Sequence, residues 1–237
     1  MDTVLRIAID GPSGSGKSTI AKIVADKLGL EYIDTGSMYR AIAFKVSKKI
    51  KEQNFTGENF HLDDFLNENI SNILDDTDID FKEGNVYLDG QLLGNEIRVD
   101  EISILASEIA QFENVRKKLV DFQREIASKN SVVMDGRDIA TNVIKDAEVK
   151  IFLTASVEER AMRRYKQLLE QGQDLVYEEI YDDIKHRDIN DKTRKLNPLR
   201  PAKDSKILDT TGLTIEEVVA IIENEVKLWQ KSNRLGQ

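Results

Sequence analysis

The sequence predicts an α/β fold with a central five-stranded parallel sheet flanked by helices. Short apolar runs, of the kind that form buried parallel strands, recur along the 237 residues. Segments with helical periodicity lie between these runs, and such alternation is typical of a parallel sheet covered by helices on both faces. The expected strands are Val4–Ile9, Tyr32–Ile33, Ser131–Met134, Val149–Leu153 and Lys206–Leu208.

Several helices carry start or stop signals. Gly29 follows the apolar face of the first helix and is a natural end for it. The pairs Ser156/Glu159 and Thr214/Glu217 have the spacing of capping boxes, which open helices by satisfying free N–H groups. We therefore expect helices to begin after Ser156 and after Thr214.

One region departs from the alternation of strands and helices. From Asn54 to Asn95 the chain is acidic, and apolar residues alternate about a turn at Glu83-Gly84-Asn85, which predicts a small antiparallel hairpin at about 78–93. The expected organisation is a core of residues 1–33 and 113–237 with an arm of residues 34–112 between its parts. Within the core, a short lid is expected at about 157–195, and its charged part, Gln171–Lys195, is predicted to be mobile.

Composition excludes several classes of function. The net charge is −9, from 43 acidic and 34 basic residues, which disfavours sequence-independent binding to nucleic acid. Cysteine is absent, so disulfides and thiolate chemistry are excluded. No apolar run approaches the roughly 18 residues of a membrane span, and the N-terminus does not resemble a signal peptide. We expect a monomeric cytoplasmic protein that binds neither nucleic acid nor membrane.

The strongest motif is "GPSGSGKS", which fits G-x-x-x-x-G-K-[ST] with Gly11, Gly16, Lys17 and Ser18 at the fixed positions. It follows an apolar strand and opens an amphipathic helix, the context in which backbone N–H groups and the helix N-terminus cradle phosphates. The lysine reaches the β- and γ-phosphates, and the serine hydroxyl ligates Mg²⁺. The motif predicts a P-loop NTPase fold and a nucleoside triphosphate site formed by Gly11, Pro12, Ser13, Gly14, Ser15, Gly16, Lys17, Ser18 and Thr19.

The phosphate-binding loop does not by itself distinguish switches, motors and kinases. Arginines after the strands point to a kinase, because converging guanidinium groups would form a second anion site at the carboxyl edge of the sheet. A phosphate acceptor is already anionic and needs no catalytic base. Spacing alone leaves Arg187 and Arg194 undecided between this role and surface ion pairs. The candidate residues are Arg40, Asp135, Arg137, Asp138, Arg187, Asp191 and Arg194.

A combination of motifs resembles the bacterial cytidylate kinases (CMP/dCMP kinases), a P-loop nucleoside monophosphate kinase family. The resemblance runs nearly end to end and is carried by "IDGPSGSGKST", "DTGSMYR", "ASEIAQFENVR", "DGRDIAT", "VKIFLTASVEERAMRR" and "HRDINDKTRKLNPL". It implies transfer of the γ-phosphoryl group of ATP to CMP or dCMP, with Mg²⁺. The implied arrangement is a core with a monophosphate-binding insertion and a short lid.

The resemblance also assigns residues. Ser107, Arg116, Asp138 and Arg194 match residues that contact cytosine. Thr35, Arg40, Arg137 and Arg187 match residues around the acceptor phosphate, and Asp191 matches the residue that holds the sugar hydroxyls. Arg160 and Arg163 resemble lid arginines that face the triphosphate. The implied catalytic residues are Lys17, Arg137, Arg187, Arg160 and Arg163.

Some positions depart from the family pattern. Ser37 replaces the usual Ala and is expected to have little effect, whereas Ala140 replaces the usual Gly and is expected to tighten the acceptor pocket. Asn190 and Lys192 stand where some relatives carry arginine, which reduces the charge of the lid.

The sequence leaves several alternatives open. Asp135 is either an acid that holds Mg²⁺ through water or a structural partner of an arginine. The acceptor could be UMP or a non-nucleotide metabolite. A nucleotide-sensing switch that binds ATP or GTP without acceptor-dependent turnover is the alternative from a different class.

Overall fold

The computed structural model describes residues 4–53, 60–82, 84–170, 172 and 175–235. In chain order the strands are β1 Arg6–Asp10, β2 Glu31–Asp34, β3 Ile79–Lys82, β4 Asn85–Leu88, β5 Gln91–Leu92, β6 Val132–Gly136, β7 Val149–Thr154 and β8 Lys206–Asp209. The α-helices are α1 Lys17–Leu28, α2 Thr35–Glu52, α3 Leu62–Asp75, α4 Asp100–Ile109, α5 Glu113–Lys129, α6 Val157–Glu170, α7 Tyr177–Thr193 and α8 Ile215–Leu235.

The chain divides into two compact units. One contains the residues up to Ile33 and those from Ala127 onward, and the other is Asp34–Ile126. The boundaries between these units lie after Ile33 and, within α5, after Ile126. Helix α5 itself runs without interruption from Glu113 to Lys129. The division into a core, an arm of residues 34–112 and a lid stays a prediction.

The main sheet has the predicted five strands, in the order β2-β6-β1-β7-β8. The pairings of β1 with β6, β1 with β7 and β7 with β8 are parallel. Their inward side chains, including Ile7, Ile9 and Ile151, are fully buried and pack with apolar residues of α1 and α8. The apolar runs in the sequence are therefore the core strands, and the predicted α/β fold is confirmed.

Helix ends follow the sequence signals closely. Gly29 ends α1 in the left-handed region, with a φ of 65°. Thr214 and Glu217 form a reciprocal capping box, with bonds of 2.8 and 3.2 Å. The box at the start of α6 is half formed, because Ser156 accepts the N–H of Glu159 but the Glu159 carboxylate accepts from Arg163 instead.

The unit Asp34–Ile126 contains the predicted antiparallel element. Strands β3 and β4 pair from Ile79↔Leu88 to Lys82↔Asn85, and β5 extends the pair to three strands. Of the predicted turn, Glu83 lies outside the described residues, as does Asn54 at the start of the acidic region. Helices α2 and α4 pack against each other within this unit.

Helix α7 occupies most of the charged segment that the sequence predicts to be mobile. It packs on α6, and the buried apolar side chains at this contact include Ile180 and Ile184, four residues apart on one face of α7. Gln171, where the predicted segment begins, lies outside the described residues. None of the described helices is both long and apolar enough to cross a lipid bilayer.

Candidate active site

The motif Gly11–Ser18 forms the turn between β1 and α1. Gly16 precedes α1 with a φ of 83°, a conformation that residues with side chains rarely adopt. A Cβ atom at position 11 would lie 2.2 Å from the carbonyl oxygen of Leu153, so this position has room only for glycine. The Lys17 ammonium is buried and donates a hydrogen bond of 3.1 Å to the carbonyl of Pro12. The loop therefore encloses its own lysine at the N-terminus of a helix, where anions are stabilised.

Ser18, in the first turn of α1, is in direct contact with Asp135 of β6. The Ser18 hydroxyl donates a hydrogen bond of 2.8 Å to Asp135, which also accepts one of 2.9 Å from the Tyr32 hydroxyl. A hydroxyl beside a carboxylate fits Mg²⁺, which takes few protein oxygens and completes its shell with phosphate and water. No cluster of three acidic or histidine ligands occurs in the part of the chain that the structure describes.

The hydrogen bond between Ser18 and Asp135 favours the interpretation in which Asp135 holds Mg²⁺ through water. The alternative, a structural partner for an arginine, keeps some support, because the charge of Asp135 contributes to raising the pKa of Arg137. Its effect is smaller than that of Asp191, which bonds the Arg137 guanidinium directly.

Two ion pairs join the loop after β6 to α7 and to Arg194, the residue that follows α7. Arg137 Nε donates to an Asp191 carboxylate oxygen at 2.7 Å, and Arg194 Nη2 donates to an Asp138 oxygen at 3.1 Å. The pairing is reciprocal, because each segment contributes one arginine and one aspartate. Arg187 lies on α7 one turn before Asp191 and is half-buried. The arrangement brings together five of the residues that the sequence assigns to the acceptor site.

The charges of the Arg137–Asp191 pair stabilise each other. Burial alone would raise the pKa of Asp191, but the charge and hydrogen bond of Arg137 outweigh it, and the pKa is lowered. Burial likewise opposes the charge of Arg137, and Asp191 outweighs it, so that this pKa is raised. Both groups are therefore ionised across the neutral pH range.

In the unit Asp34–Ile126, the predicted phosphate residue Arg40 is held by Asp34. Arg40 Nη2 donates to the Asp34 carboxylate at 2.9 Å, and Arg98 Nη2 approaches the same oxygen at 3.5 Å. The Nε of Arg40 is buried and makes no hydrogen bond within the described part of the protein. A buried charged donor left unsatisfied fits an anionic ligand. Thr35, the first residue of α2, is also buried.

The other two residues predicted to contact cytosine also lie in this unit. Ser107 is half-buried on α4, and Arg116 is buried on α5. The guanidinium carbon of Arg116 lies 6.0 Å from the centre of the Tyr39 ring, and its Nη1 donates to the carbonyl of Ala110 at 3.4 Å. Tyr39 therefore packs against an arginine assigned to the base.

Arg160 and Arg163, the two arginines that the resemblance places in a lid, lie on α6 and make hydrogen bonds outside that helix. Arg163 bonds Thr210 through its hydroxyl at 2.9 Å and its carbonyl at 2.7 Å, and it also bonds Glu159. Its Nη1 lies 4.0 Å from where a Cβ of Gly16 would stand, so it is adjacent to the phosphate-binding loop. Arg160 is buried and donates to the carbonyl of Ser13 in that loop at 2.9 Å.

The family model described as cytidylate kinase matches residues 7–228 of this chain. The chain belongs to the cytidylate kinase family. Family membership agrees with a phosphate-binding loop, a "DGRDI" loop after β6, and Arg187 on α7 with Arg194 directly after it, all carried by one compact unit.

Curated cytidylate kinases resemble the chain over nearly their whole length. The one from Clostridioides difficile (strain 630) is 46% identical over 224 residues, covering 94% of this chain and 99% of the relative. The one from Thermosipho melanesiensis is 48% identical over 222 residues, covering 94% and 96%. The one from Caldicellulosiruptor saccharolyticus is 48% identical over 219 residues, covering 91% and 92%.

Solved structures support the fold alone. A gluconokinase from Sinorhizobium meliloti 1021 superposes with a TM-score of 0.50 at 14% identity, covering 98% of both chains. An uncharacterized protein from Eubacterium ventriosum gives 0.51 at 13% identity, covering 95% of this chain and 99% of that chain.

Sequence reasoning missed Asp10, a buried carboxylate in this member of the cytidylate kinase family. Its two oxygens accept the N–H groups of Ile139 and Ala140, each at 2.8 Å. Burial raises its pKa to about 7, although the two N–H bonds oppose the rise. The one available signal was an aspartate that ends an otherwise apolar strand directly before Gly11.

Asp34 and Arg98 were missed for different reasons. Asp34 stands inside the motif "DTGSMYR", but its two duties, capping α2 through the N–H of Ser37 and holding Arg40, require the folded helix to be seen. Arg98 follows a short 3-10 helix, Asn95–Ile97, and nothing in its surrounding sequence marks it.

The departures Ser37 and Ala140 are both buried, and Ser37 donates to the Asp34 carbonyl at 2.6 Å.

Proposed function

We propose that this protein transfers the γ-phosphoryl group of ATP to CMP or dCMP, giving ADP and CDP or dCDP. The observation that carries the proposal is the pairing of β1 with β6, in which Asp10 is the register partner of Gly136. The phosphate-binding loop begins directly after Asp10, and Arg137 directly follows Gly136. A triphosphate site and an arginine-rich acceptor site thus start from neighbouring strand ends, roughly 5 Å apart in a sheet.

On the donor side, the backbone of residues 11–19 and the N-terminus of α1 would hold the phosphates of ATP. Lys17 would leave the Pro12 carbonyl to neutralise the β- and γ-phosphates. Ser18 would hold Mg²⁺ directly and Asp135 would hold it through water; the ion, when bound, neutralises charge on the transferring group. Arg163, beside Gly16, would add positive charge near the same phosphates, together with Arg160.

On the acceptor side, Arg40, Arg137 and Arg187 would bind the monophosphate, with Thr35 contributing a hydroxyl. A phosphate oxygen is a ready nucleophile, so catalysis consists of holding it in line with the γ-phosphorus and neutralising the charge that develops. This chemistry requires no carboxylate for proton abstraction, because the acceptor phosphate is already anionic.

The base would be recognised by Ser107, Arg116, Asp138 and Arg194. Cytosine offers acceptors at O2 and N3 and a donor at its 4-amino group, so that arginine can serve the former and a carboxylate the latter. Uracil reverses the pattern at N3 and position 4, and buried polar groups left unpaired would reject it. Asp191 would accept from a sugar hydroxyl, which both CMP and dCMP offer.

The test is a coupled ADP-release assay with ATP and Mg²⁺ against CMP, dCMP, UMP, AMP, GMP and buffer. We expect turnover with CMP and dCMP to exceed that with UMP at least tenfold, since mismatched hydrogen bonding is strongly discriminating. Lys17→Ala serves as the inactive control, and Lys227→Ala, on the exposed face of α8, serves as the matched lysine control.

Other outcomes would favour the alternatives. Equal or faster turnover with UMP would indicate a kinase for another acceptor. ATP binding without acceptor-dependent turnover would indicate a nucleotide-sensing switch. The monomeric state and the cytoplasmic location remain predictions, the first of which light scattering would test.

A further inference from the structure

A buried bidentate ion pair joins the two lid helices. Arg160 on α6 donates from Nη1 and Nη2 to the two carboxylate oxygens of Asp188 on α7, at 3.0 and 2.6 Å. The Arg160 side chain is 3% exposed and that of Asp188 is 9% exposed, so neither charge is screened by water. A pair of this geometry is directional, because the guanidinium fork and the carboxylate must lie in one plane.

The same guanidinium reaches the phosphate-binding loop. Nη1 also donates to the carbonyl of Ser13 at 2.9 Å, and Nε donates to the carbonyl of Ala155, at the end of β7, at 3.0 Å. The loop backbone is close to α6, since a Cβ atom at Gly14 would lie 3.0 Å from the carbonyl oxygen of Arg160. Arg160 therefore connects the loop, the end of the sheet and α7 through one side chain.

Asp188 lies on α7 between residues assigned to the acceptor. Arg187 and Asp191 are four residues apart and share one side of the helix, whereas Asp188 points about 100° away from Arg187. The Asp188–Arg160 pair therefore fixes the rotation of α7 on the side of α6, whereas the Arg137–Asp191 pair holds the same helix from the loop after β6. That rotation also sets where Arg187 and Asp191 stand relative to the phosphate-binding loop.

We propose that Asp188 is a positioning residue for phosphoryl transfer, acting through Arg160 to hold the acceptor residues of α7 at a fixed distance from the phosphate-binding loop. The inference rests on the proposed function, and it adds a residue that contacts neither the reacting phosphates nor the base. The other contacts of α7 with α6 are apolar, apart from hydrogen bonds of 3.4 Å from the Tyr177 and Tyr181 hydroxyls to Glu158. None of these contacts reaches the phosphate-binding loop, so without Asp188 the helix can shift relative to that loop.

The test compares Asp188→Asn with Asp183→Asn, a matched change at an exposed position of the same helix. For Asp188→Asn we expect kcat to fall and the KM for CMP to rise, with a combined loss of about 100-fold in kcat/KM, the effect of a misplacement of about 1 Å. The Kd for ATP, measured without acceptor, should change by less than about threefold, because the loop and Lys17 are untouched. Asp183→Asn should behave as the unaltered protein.

A double-mutant cycle tests whether Asp188 acts through Arg160. If it does, Asp188→Asn should cause little further loss in kcat/KM when Arg160→Gln is already present. A full, additive loss in that background would overturn the proposal. So would an Asp188→Asn protein whose kinetic constants are unchanged, or one whose only defect is a lower Tm and a smaller folded fraction with an unaltered KM for CMP.

Two further measurements test the proposal if Asp188→Asn does not fold or if the unaltered protein shows no CMP-dependent activity. Arg160→Lys keeps the charge but loses the bidentate geometry, and it should show the same acceptor-side defect if Asp188→Asn does not fold. If the unaltered protein shows no CMP-dependent ADP release, the proposed function fails separately. In that case, calorimetry would compare the affinity for CMP of the unaltered protein and of Asp188→Asn. Weaker binding by the variant would support the positioning role. Equal affinities, or no binding by either protein, would overturn it.

Discussion

Arg137 donates a 2.7 Å hydrogen bond from its Nε to Asp191, which follows it by 54 positions in the chain. Each of these residues is assigned a different part of the acceptor, the phosphate to Arg137 and the sugar to Asp191. In the proposed function, the acceptor would therefore meet an arginine and an aspartate whose charges already orient each other. Preorganisation of this kind lowers the reorganisation needed when the phosphoryl group is transferred.

Asp191→Asn should weaken the acceptor site. The amide keeps the size of the side chain but removes the charged group that Arg137 bonds directly, so that the direction of the guanidinium is held less firmly. We expect the KM for CMP to rise about tenfold, or about 1.4 kcal/mol, with a smaller change in the Kd for ATP. Steady-state kinetics at saturating ATP measures the first quantity and equilibrium binding the second. A larger effect on ATP than on CMP would place Asp191 on the donor side.

Asp138→Asn should relax the discrimination between cytosine and uracil. An amide can donate to the 4-oxo group of uracil, which the carboxylate cannot, and it also loses charge opposite Arg194. We expect kcat/KM for CMP to fall while the ratio of CMP to UMP drops at least about tenfold, since such ratios depend on paired polar groups. The ratio is measured with both acceptors in one preparation. An equal loss for CMP and UMP would show that Asp138 supports the site without contacting the base.

Ser18→Ala should raise the Mg²⁺ requirement. The change removes one proposed protein oxygen and one hydrogen bond to Asp135, whereas the loop backbone remains. We expect the Mg²⁺ concentration for half-maximal rate to rise and kcat to fall by about 100-fold or more, within the range of losing one electrostatic catalytic contact. Ser232→Ala, at an exposed position of α8, is the matched control. An unchanged Mg²⁺ titration would remove Ser18 from the metal site.

Asp10→Asn should change the pH dependence of stability. The pKa of Asp10 is raised from 3.8 to about 7 in the folded protein. The folded state therefore binds more protons than the unfolded state between these values, and this contribution to stability is lost as pH rises through about 7. Between pH 3.8 and about 7, the free energy of unfolding of the unaltered protein should fall relative to that of the variant by up to about 1.4 kcal/mol per pH unit.

Urea denaturation at several pH values would measure this difference. The amide also leaves one of the N–H groups of Ile139 and Ala140 without an acceptor, at a cost of about 1–3 kcal/mol that does not depend on pH. The two effects are separable. The raised pKa of Asp10 changes the slope of the free energy of unfolding against pH, whereas the lost hydrogen bond lowers that free energy equally at every pH. Parallel curves for the two proteins would contradict a raised pKa for Asp10.

The sequence by itself determined the strands of the main sheet, the phosphate-binding turn and the family. These depend on local patterns: apolar runs, a motif of fixed spacing before Lys17 and Ser18, and glycine or capping residues at helix ends. Local backbone preference and burial depend on residues that are close together in the sequence, so sequence patterns predict them. Charge patterning was less informative, since α7 is a packed helix within a segment predicted to be mobile.

Only the tertiary structure decided which charged groups meet. Asp10 bonds the N–H groups of residues 139 and 140, and Arg160 bonds Asp188, across 129, 130 and 28 positions of sequence. The boundary between the units, inside α5, was likewise set by packing. Contacts between long polar side chains depend on where distant elements come together, and neither periodicity nor spacing encodes that placement.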